Sequence, residues 1–385
     1  MAQHGIEAHS HGNVPIQTRN ERPRSASVSD FPEVSKLQEI WRYIPQDLLR
    51  GLDQDVMGEV AESAISLRLA DGVTSRWVDS TDALVGSAGL PEDRVAAAAW
   101  TNASKTLVIE IPKNTEVDGP SFVAINPKSH DAQALHVVLV LGANSSATVV
   151  LDHVGDGVLG ENVELVIEDG AKLDFITIAQ WNKGSSHVSS QFAKIGKDAE
   201  LKHVVVSLGG DLVRVTPASY LSSPGGTTNM YGVYLADTGN YFEHRPYVDH
   251  IAPNCVSDVA YKGALQGKGA HTVWVGDVLI RESATGTNSY ELNRNLLLTD
   301  GARADSVPNL EIETGKIEGA GHASASGRFD DLQLFYLMAR GISEPDAKKL
   351  VVRGFLHEVI QKIGVAEVED RLIAAIELEL ERVGV

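Results

Sequence analysis

The chain has 385 residues, enough for two or three structural parts, and carries 33 Lys and Arg against 52 Asp and Glu, a formal charge of −19. No segment concentrates positive charge, so nucleic acid and anionic membranes are excluded as expected partners. The single cysteine, Cys255, excludes an internal disulfide and a thiolate metal cage built by this chain alone. Neither a signal peptide nor an apolar run of membrane-spanning length is found, and we therefore expect a cytoplasmic protein.

The first 92 residues are predicted to form a disordered tail and a small helical region. Residues 1–30 are polar and aperiodic, with too few large apolar side chains to offset the entropy of ordering. Residues 31–92 contain a capping box at Ser35 and a second, weaker helical pattern in residues 54–72, followed by a connection rich in Gly, Ser and Asp. The apolar face of the first helix comprises Leu37, Ile40, Trp41 and Ile44.

Residues 93–327 are predicted to form a β-solenoid. Short β-rich runs such as "HVVLVL" and "LDFITIA" alternate with turns built from Gly, Asp, Asn and Ser. The turns can be aligned at Ala143, Ala171, Ala199 and Gly226, at intervals of 28, 28 and 27 residues. A near-constant period indicates the stacked coils of a parallel β-helix, because an antiparallel sandwich has no reason to repeat one turn. The register is lost between Gly226 and Ala270, which indicates coils of different length or an intervening loop.

Residues 328–385 are predicted to be helical. Asp330 opens an amphipathic helix that Gly341 ends, Ser343 caps a second helix, and a third helix with an acidic open face follows. We expect the apolar stripes of these helices to pack as core on the end of the solenoid. The stripes are Leu332, Phe335, Tyr336 and Ala339 in the first helix, Ala347, Leu350, Val351, Gly354, Phe355 and Val359 in the second, and Val368, Leu372, Ile376 and Leu380 in the third.

Short motifs of common enzymes are absent from the sequence. There is no phosphate-binding loop, no Gly-x-Ser-x-Gly elbow, no His-Glu-x-x-His and no Cys-x-x-Cys. The residue with the most distinctive surroundings is His322, in "GHASASG", because small neighbours let another surface approach the imidazole. Neutral imidazole is a good ligand for iron, zinc or copper. The same small residues could merely turn the chain from solenoid to helix, and spacing alone favours that structural interpretation.

Three ordered segments resemble the SufB/SufD family of iron–sulfur cluster assembly scaffolds, most closely its SufD members. They are "TVWVGDVLI", "TNSYELNRNLLLTDGARADSVPNLEI" and "GHASASGRFDDLQLFYLMARGISEPDAKKLVVRGFLHEVI". The similarity is strongest from about His271 to Ile360, and a weaker echo lies in "IWRYIP". The resemblance implies a right-handed parallel β-helix flanked by helical regions, which agrees with the fold class predicted from periodicity.

The resemblance also implies partners and a non-catalytic role. It implies pairing with a SufB-like scaffold through the β-helix and docking of a SufC-like ABC-type ATPase on the C-terminal helical region. The docking surface is expected around Arg340, Gly341 and Phe355. We expect a protein that is not an enzyme and whose nascent iron–sulfur cluster is assembled at the interface of the two scaffolds.

The position of His322 matches a SufD histidine regarded as part of that interfacial cluster site. Asn293 stands where SufB has its scaffold cysteine, which favours SufD over SufB. Two further positions depart from the family pattern: Ala320 stands where some SufD proteins have cysteine, and Ala323 stands where SufB has glutamate. With one cysteine the chain should hold no stable cluster alone, because such clusters need several thiolates or their equivalent. His322 is therefore the metal-ligand candidate, and Cys255 a weak one, since a free cysteine is more often a small buried side chain.

Two other interpretations stay open at this point. Parallel β-helices also serve as polysaccharide-acting enzymes, but the acids that such a site would need, Asp152, Asp156, Asp169 and Asp174, fall mostly at predicted turns. The third interpretation is a purely structural solenoid adaptor without a metal role.

Overall fold

The computed structural model describes residue 19, residues 22–328 and residues 331–382. Most of the predicted tail, residues 1–18, 20 and 21, lies outside this range. Order begins before the predicted boundary at residue 30, since Arg19 is buried and its Nε lies 2.6 Å from Glu92 Oε2, and Val28 is buried as well. Both residues are buried by later parts of the chain, and local composition does not reveal such long-range partners.

The N-terminal region is helical only in short 3-10 segments, and the two longer helices predicted for residues 31–92 do not form. The region contains the 3-10 helices Val28–Asp30, Glu39–Trp41, Gln46–Leu49 and Glu62–Ala64, and the strands β1 (Gly58–Glu59), β2 (Ile65–Arg68) and β3 (Thr74–Asp79). Trp41 and Ile44 are buried as expected, whereas Leu37 is 97% exposed. Pro45 disfavours helical geometry at the residue before it, and antiparallel pairing of β2 with the first coil replaces the weak helical pattern of residues 54–72.

An α-helix, α1 (Arg94–Asn102), lies inside the range predicted for the solenoid. Asp93 caps it by accepting a hydrogen bond of 2.9 Å from the backbone N–H of Ala96. The helix packs on the outer face of one solenoid sheet through a run of buried alanines. It is only nine residues long and lacks a stripe of large apolar side chains, so hydrophobic periodicity gives little signal for it.

The chain then forms a parallel β-solenoid of about eight turns, as predicted. One sheet has 11 strands and the other nine, and from β4 onward every pairing between coils is parallel. The strands are β4 (Lys105–Ile111), β5 (Glu116–Ile125), β6 (Ser129–Leu141), β7 (Ser146–Gly155), β8 (Gly157–Ile167), β9 (Lys172–Trp181), β10 (Ser186–Ile195), β11 (Glu200–Gly209), β12 (Leu212–Leu221), β13 (Thr227–Ala236), β14 (Tyr241–His244), β15 (Tyr247–His250), β16 (Val256–Leu265), β17 (His271–Ile280), β18 (Asn288–Leu297), β19 (Arg303–Ile312) and β20 (Gly319–Arg328).

One corner of the solenoid explains the repeated turn chemistry. Two residues before each strand of the nine-stranded sheet from β5 to β18, the backbone has a positive φ between 54° and 77°. The residues there are Asn114, Asn144, Gly170, Asp198, Gly225, Asn254 and Gly286. Glycine, asparagine and aspartate adopt this left-handed conformation at the lowest cost. The repeat is therefore a column of left-handed residues, one per coil.

The alignment of the repeat needs one correction. Ala143 is not equivalent to Ala171, because Ser146 pairs with Lys172 and the matching residue is Ser145. The later loss of register comes from coils of different length, since β13 and β16 are offset by 29 residues and β16 and β18 by 32. Ala270 precedes β17 and belongs to the opposite corner of the solenoid.

The C-terminal helices are α2 (Asp331–Ala339), α3 (Glu344–Ile360) and α4 (Ala366–Arg382). The prediction that they pack on the end of the solenoid is wrong for α3 and α4. Leu356 and Leu372 are buried against outward-facing residues of the nine-stranded sheet such as Val204. Arg371 of α4 reaches Asp152 of the early strand β7 with two contacts of 2.6 and 2.8 Å. The helices thus run back along the side of the solenoid, because that face offers an apolar surface.

The three predicted apolar stripes have different outcomes. The stripe of α4 is buried as predicted, while that of α3 is displaced, with Val352, Leu356 and Ile360 buried and Leu350 47% exposed. The described stripe residues of α2 are largely exposed, including Leu332 at 76% and Phe335 at 68%, because α2 packs mainly on α3 and lies off the sheet. The predicted helix start at Asp330 lies outside the described residues.

The boundaries between the helices follow the prediction. Gly341 ends α2 with a φ of 88°, and the Ser343 hydroxyl caps α3 by accepting from the backbone N–H of Asp346. None of the helices in the described part of the chain is long and apolar enough to cross a membrane.

Candidate functional site at the open end of the solenoid

β19 and β20 form the last coil and leave one end of the solenoid open. Among the described strands, β19 pairs with β17 and β20 pairs with β18, so each keeps one free edge. Most residues of these two strands are at least partly exposed. Because α3 and α4 cover the side of the solenoid instead, the interior of the last coil faces outward along the solenoid axis.

His322 lies in the middle of β20 and points into this open coil. It stands in register with Glu291 of β18, whose side chain is directed into the interior, and in-register parallel strands keep their side chains on the same face. The His322 Nδ1 atom lies 3.6 Å from Glu291 Oε1. No later described coil covers the imidazole, and 44% of its side chain is therefore exposed.

Glu291 is the unexpected member of this pair. Only 1% of its side chain is exposed, and neither carboxyl oxygen has a hydrogen-bond partner in the described part of the chain. Burial, with a further contribution from the negative charge of Asp277, raises the pKa of Glu291 to about 8. A buried carboxyl group without partners thus lies directly beneath a solvent-accessible imidazole.

The surroundings of the pair are polar, unlike most of the solenoid interior. The Asn295 amide donates to Ser326 Oγ at 3.2 Å, and Ser324 donates to Ser306 Oγ across the last coil at 2.7 Å. The Asn293 amide donates to the hydroxyl of Tyr234 at 2.9 Å. The inward-facing residues of β18 and β20 that produce this surface are Ser289, Glu291, Asn293, Asn295, Ala320, His322, Ser324 and Ser326.

The arrangement can offer an imidazole nitrogen and, once deprotonated, a carboxylate oxygen to one metal ion. Both are suitable ligands for iron, but the two together leave most of its coordination positions to groups from outside the chain. Glu291 was not identified from the sequence. The signal that could have found it is the alternation of polar residues in "SYELNRN", where strand period places Ser289, Glu291, Asn293 and Asn295 on the inward face.

Cys255 lies away from this site. It occupies the corner before β16, two coils before β20, which corresponds to about 10 Å along the axis. Its thiol is buried and donates to the carbonyl oxygen of Ser223 at 3.4 Å, and burial raises the pKa of Cys255 above its ordinary value. The structure therefore does not bring Cys255 next to His322.

Comparison with known proteins decides the family. The family model described as "SUF system FeS cluster assembly, SufBD core domain" matches residues 123–355 of this chain. The chain belongs to the SufBD family. Two relatives named iron–sulfur cluster assembly SufBD family protein are similar over nearly the whole length. The one from Mycobacterium tuberculosis is 49% identical over 364 residues, 93% of this chain and 92% of that protein. The one from Mycobacterium leprae is 46% identical over 365 residues, 92% of this chain and 93% of that protein.

A more distant SufBD relative carries the narrower name. The iron–sulfur cluster assembly protein SufD of Bacillus subtilis is 26% identical over 284 residues, which cover 69% of this chain and 62% of that protein. The family membership agrees with the resemblance found in the sequence, and the match includes the strand that carries His322.

The residues predicted to dock an ATPase lie in two different environments. Arg340 and Gly341 form an exposed turn between α2 and α3, and the Arg340 guanidinium lies 4.7 Å from the ring centre of Tyr336. Phe355 is instead half-buried beside the solenoid, where the ammonium group of Lys262 lies 5.0 Å from the centre of its ring. The turn continues into the exposed apolar residues of α2, and we call this combined surface the α2 patch: Leu332, Phe335, Tyr336, Met338, Arg340 and Gly341.

Two of the acids considered for a polysaccharide-acting site have structural partners. Asp152 accepts both hydrogen bonds from Arg371 of α4, and a carboxylate oxygen of Asp174 lies 2.7 Å from the ammonium nitrogen of Lys202. These two side chains thus act as ion-pair partners on the solenoid surface, which agrees with membership of the SufBD family.

Proposed function

We propose that this SufBD family protein is a SufD-like, non-catalytic scaffold subunit in the cytoplasm. It pairs with a SufB-like protein and docks a SufC-like ABC-type ATPase, and a nascent iron–sulfur cluster is built transiently where the two scaffolds meet. The observation that carries the proposal is His322, accessible at the open end of the solenoid and backed by the buried Glu291. The cluster is cargo of the complex, and this chain alone holds none stably.

The open end supports pairing with a second solenoid. No other described strand pairs with the outer edges of β19 and β20, and such edges are templates for strand addition by another chain. A partner that covers this end also encloses His322 and can supply the thiolates that this chain lacks. His322 then contributes one ligand at the boundary between the subunits, and Cys255 remains in the core of its own coil.

The α2 patch supports docking of the ATPase. Several large apolar side chains are exposed close together on one short helix, and contiguous exposed apolar surface commonly marks a protein interaction site. Arg340 adds a charged rim to this surface. The substitution Arg340→Glu is expected to weaken ATPase binding without unfolding the chain, because the residue is exposed at a helix end. Unchanged ATPase affinity would contradict this placement.

The test is anaerobic affinity purification of the tagged full chain from its own cells, followed by identification of partners and by iron and sulfide analysis. Wild type should recover a SufB-like protein and an ABC-type ATPase. The variant His322→Ala should recover the same partners with several-fold less acid-labile sulfide and a matching loss of cluster iron. His130→Ala is the matched control, since His130 is also an exposed histidine but lies near the other end of the solenoid.

The alternatives give different results in the same experiment. Recovery of the chain alone would refute the complex. Unchanged iron and sulfide in His322→Ala, with both partners present, would favour the structural adaptor over the cluster scaffold. Stoichiometric iron and sulfide on the isolated chain after reconstitution would contradict the dependence on a partner.

A further inference from the structure

A second cluster of potential metal ligands lies deep inside the solenoid, several coils before the open end. His153 ends the inward row of β7, Glu161 faces it from β8 in the same coil, and His187 follows from β10 in the next coil. All three side chains are fully buried. Apolar residues such as Leu135 and Leu159 occupy inward positions on one side of the cluster, and the polar Ser189 lies in register with Glu161 on the other.

The contacts of His153 fix which of its nitrogens faces the carboxylate. Its Nδ1–H donates to the backbone carbonyl oxygen of Ile178 at 2.9 Å, and its Nε2 lies 2.9 Å from Glu161 Oε1. With the Nδ1 proton committed to the carbonyl, a neutral ring presents the Nε2 lone pair to the oxygen. A cation must then lie between the two atoms, either a proton or a metal ion. Metal-bound histidine commonly donates its other ring N–H to a backbone carbonyl oxygen in the same way, which fixes the orientation of the ring.

The unsatisfied ring of His187 is a second indication of a bound ion, separate from the contacts of His153. Its Nε2 lies 3.4 Å from Glu161 Oε2, yet neither of its ring nitrogens has a hydrogen-bond partner in the described part of the chain. A fully buried imidazole without hydrogen bonds is costly and requires an explanation such as a bound ion or water. The ring lies beside His153, with ring centres 4.4 Å apart, so both Nε2 atoms are directed at the same carboxylate.

We propose that His153, Glu161 and His187 form a resident binding site for one divalent transition-metal ion, zinc or iron(II), inside the solenoid. The three ligand atoms lie within 4.8 Å of one another, and two ligands on one metal at about 2.1 Å lie roughly 3–4 Å apart. Two imidazoles and one carboxylate, with no thiolate, match the ligand sets of zinc and non-haem iron(II) sites. Ser189 donates to Glu161 Oε2 at 2.7 Å and holds the carboxylate in place.

The site differs from the proposed cluster site in position and purpose. Its ligands lie on β7, β8 and β10. A metal ion there links two successive coils through coordination bonds to His153 and Glu161 in one coil and to His187 in the next. Its ligands come from this chain alone, and it needs neither a partner subunit nor His322. The proposal therefore does not depend on the proposed scaffold function.

The test measures the metal content of the full chain, purified with an affinity tag that contains no histidine. Because the site is fully buried, the chain is unfolded in urea with a chelator and refolded with zinc, iron(II) or cobalt(II), each alone. We expect about one ion per chain, an X-ray absorption spectrum with nitrogen and oxygen ligands and no sulfur, and a higher melting temperature than after metal-free refolding. The edge energy of protein purified without refolding then tells zinc from iron.

Two variants and one control place the ion. Glu161→Gln and His187→Gln should each lower the metal content at least tenfold, whereas His244→Gln should leave it unchanged, since His244 is an equally buried histidine that contacts Ser207 instead. If a ligand variant does not fold, the refolded wild type still decides the proposal. A wild type that takes up none of the three ions refutes it. Metal retained by folded Glu161→Gln would place the ion elsewhere and also refute it.

Discussion

Acid should destabilise the solenoid through His203, a histidine outside both proposed metal-ligand sites. His203 lies in β11 with 1% of its surface exposed. Its Nε2–H donates to Gln191 Oε1 at 2.7 Å, its Nδ1 has no hydrogen-bond partner among the described residues, and the ring packs edge-on against Phe175. Burial disfavours the charged ring and lowers the pKa of His203 to about 3.

The magnitude follows from the difference between the folded and unfolded pKa values. The histidine pKa in an unfolded chain is about 6.5, so between pH 6.5 and pH 3 the unfolded state binds the proton that the folded state refuses. The stabilisation is complete above pH 6.5 and decreases by about 1.4 kcal/mol for each pH unit below it. At pH 5 the loss from this one residue amounts to ~2 kcal/mol.

The assay is urea unfolding followed by tryptophan fluorescence at pH 7.5 and pH 5, on wild type and on His203→Gln. The variant removes the titrating group, so its free energy of unfolding should fall by ~2 kcal/mol less between the two pH values than that of wild type. His130→Gln, at an exposed histidine, should keep the wild-type difference. Only the change in the free energy of unfolding between the two pH values is compared, so a general loss of stability in the variant does not affect the result. Equal pH dependence in wild type and His203→Gln would refute the reasoning.

Two further predictions concern packing around the solenoid. A Cβ atom at Gly263 would lie 1.8 Å from the ring of Tyr234, so Gly263→Ala should lower the free energy of unfolding in urea by about 1–3 kcal/mol. Gly315→Ala is the control and should change that free energy little, because nothing lies within 4 Å of a Cβ atom there. Arg371→Ala removes both hydrogen bonds to the largely buried Asp152 and should cost about 1–3 kcal/mol, with faster hydrogen exchange in α4 than in wild type; unchanged exchange would show that the ion pair does not hold the helix.

The parts of the fold that could be predicted from the sequence are those fixed by local chemistry. The solenoid could be predicted because each coil from β5 to β18 has a left-handed residue at one corner, and only a few residue types suit that position, as at Asn144 and Asp198. The ends of α2 and α3 are equally local, since Gly341 and Ser343 act within one helical turn. The alignment fails at Ala143 because one coil is two residues shorter than the next, and composition does not encode that length.

The parts that escaped prediction depend on contacts distant in sequence. Leu332 and Leu356 both lie on helices with apolar stripes, yet only Leu356 meets the solenoid, and nothing within each helix distinguishes the two outcomes. The same holds for Glu291 and His322, which become neighbours because the two strands are offset by 31 residues. Their pairing follows from the length of the last coil, which differs from the repeat of 28 found earlier in the chain.

Two histidine–glutamate pairs of this chain, His153–Glu161 and His322–Glu291, show how position along the solenoid determines the chemistry that is available. Glu161 is enclosed on all sides, with His153, His187 and Ser189 from the same chain around its carboxylate, so any ion it holds is resident. Glu291 is equally buried, but the histidine that lies 3.6 Å from its carboxyl group, His322, faces solvent at the open end. A buried carboxyl group without a hydrogen bond costs about 1–3 kcal/mol, and in the last coil no further coil of this chain follows β20 in the described structure to offset that cost. Water or a group from outside the chain can offset it at the open end, where such a group is exchangeable, as the proposed scaffold role requires.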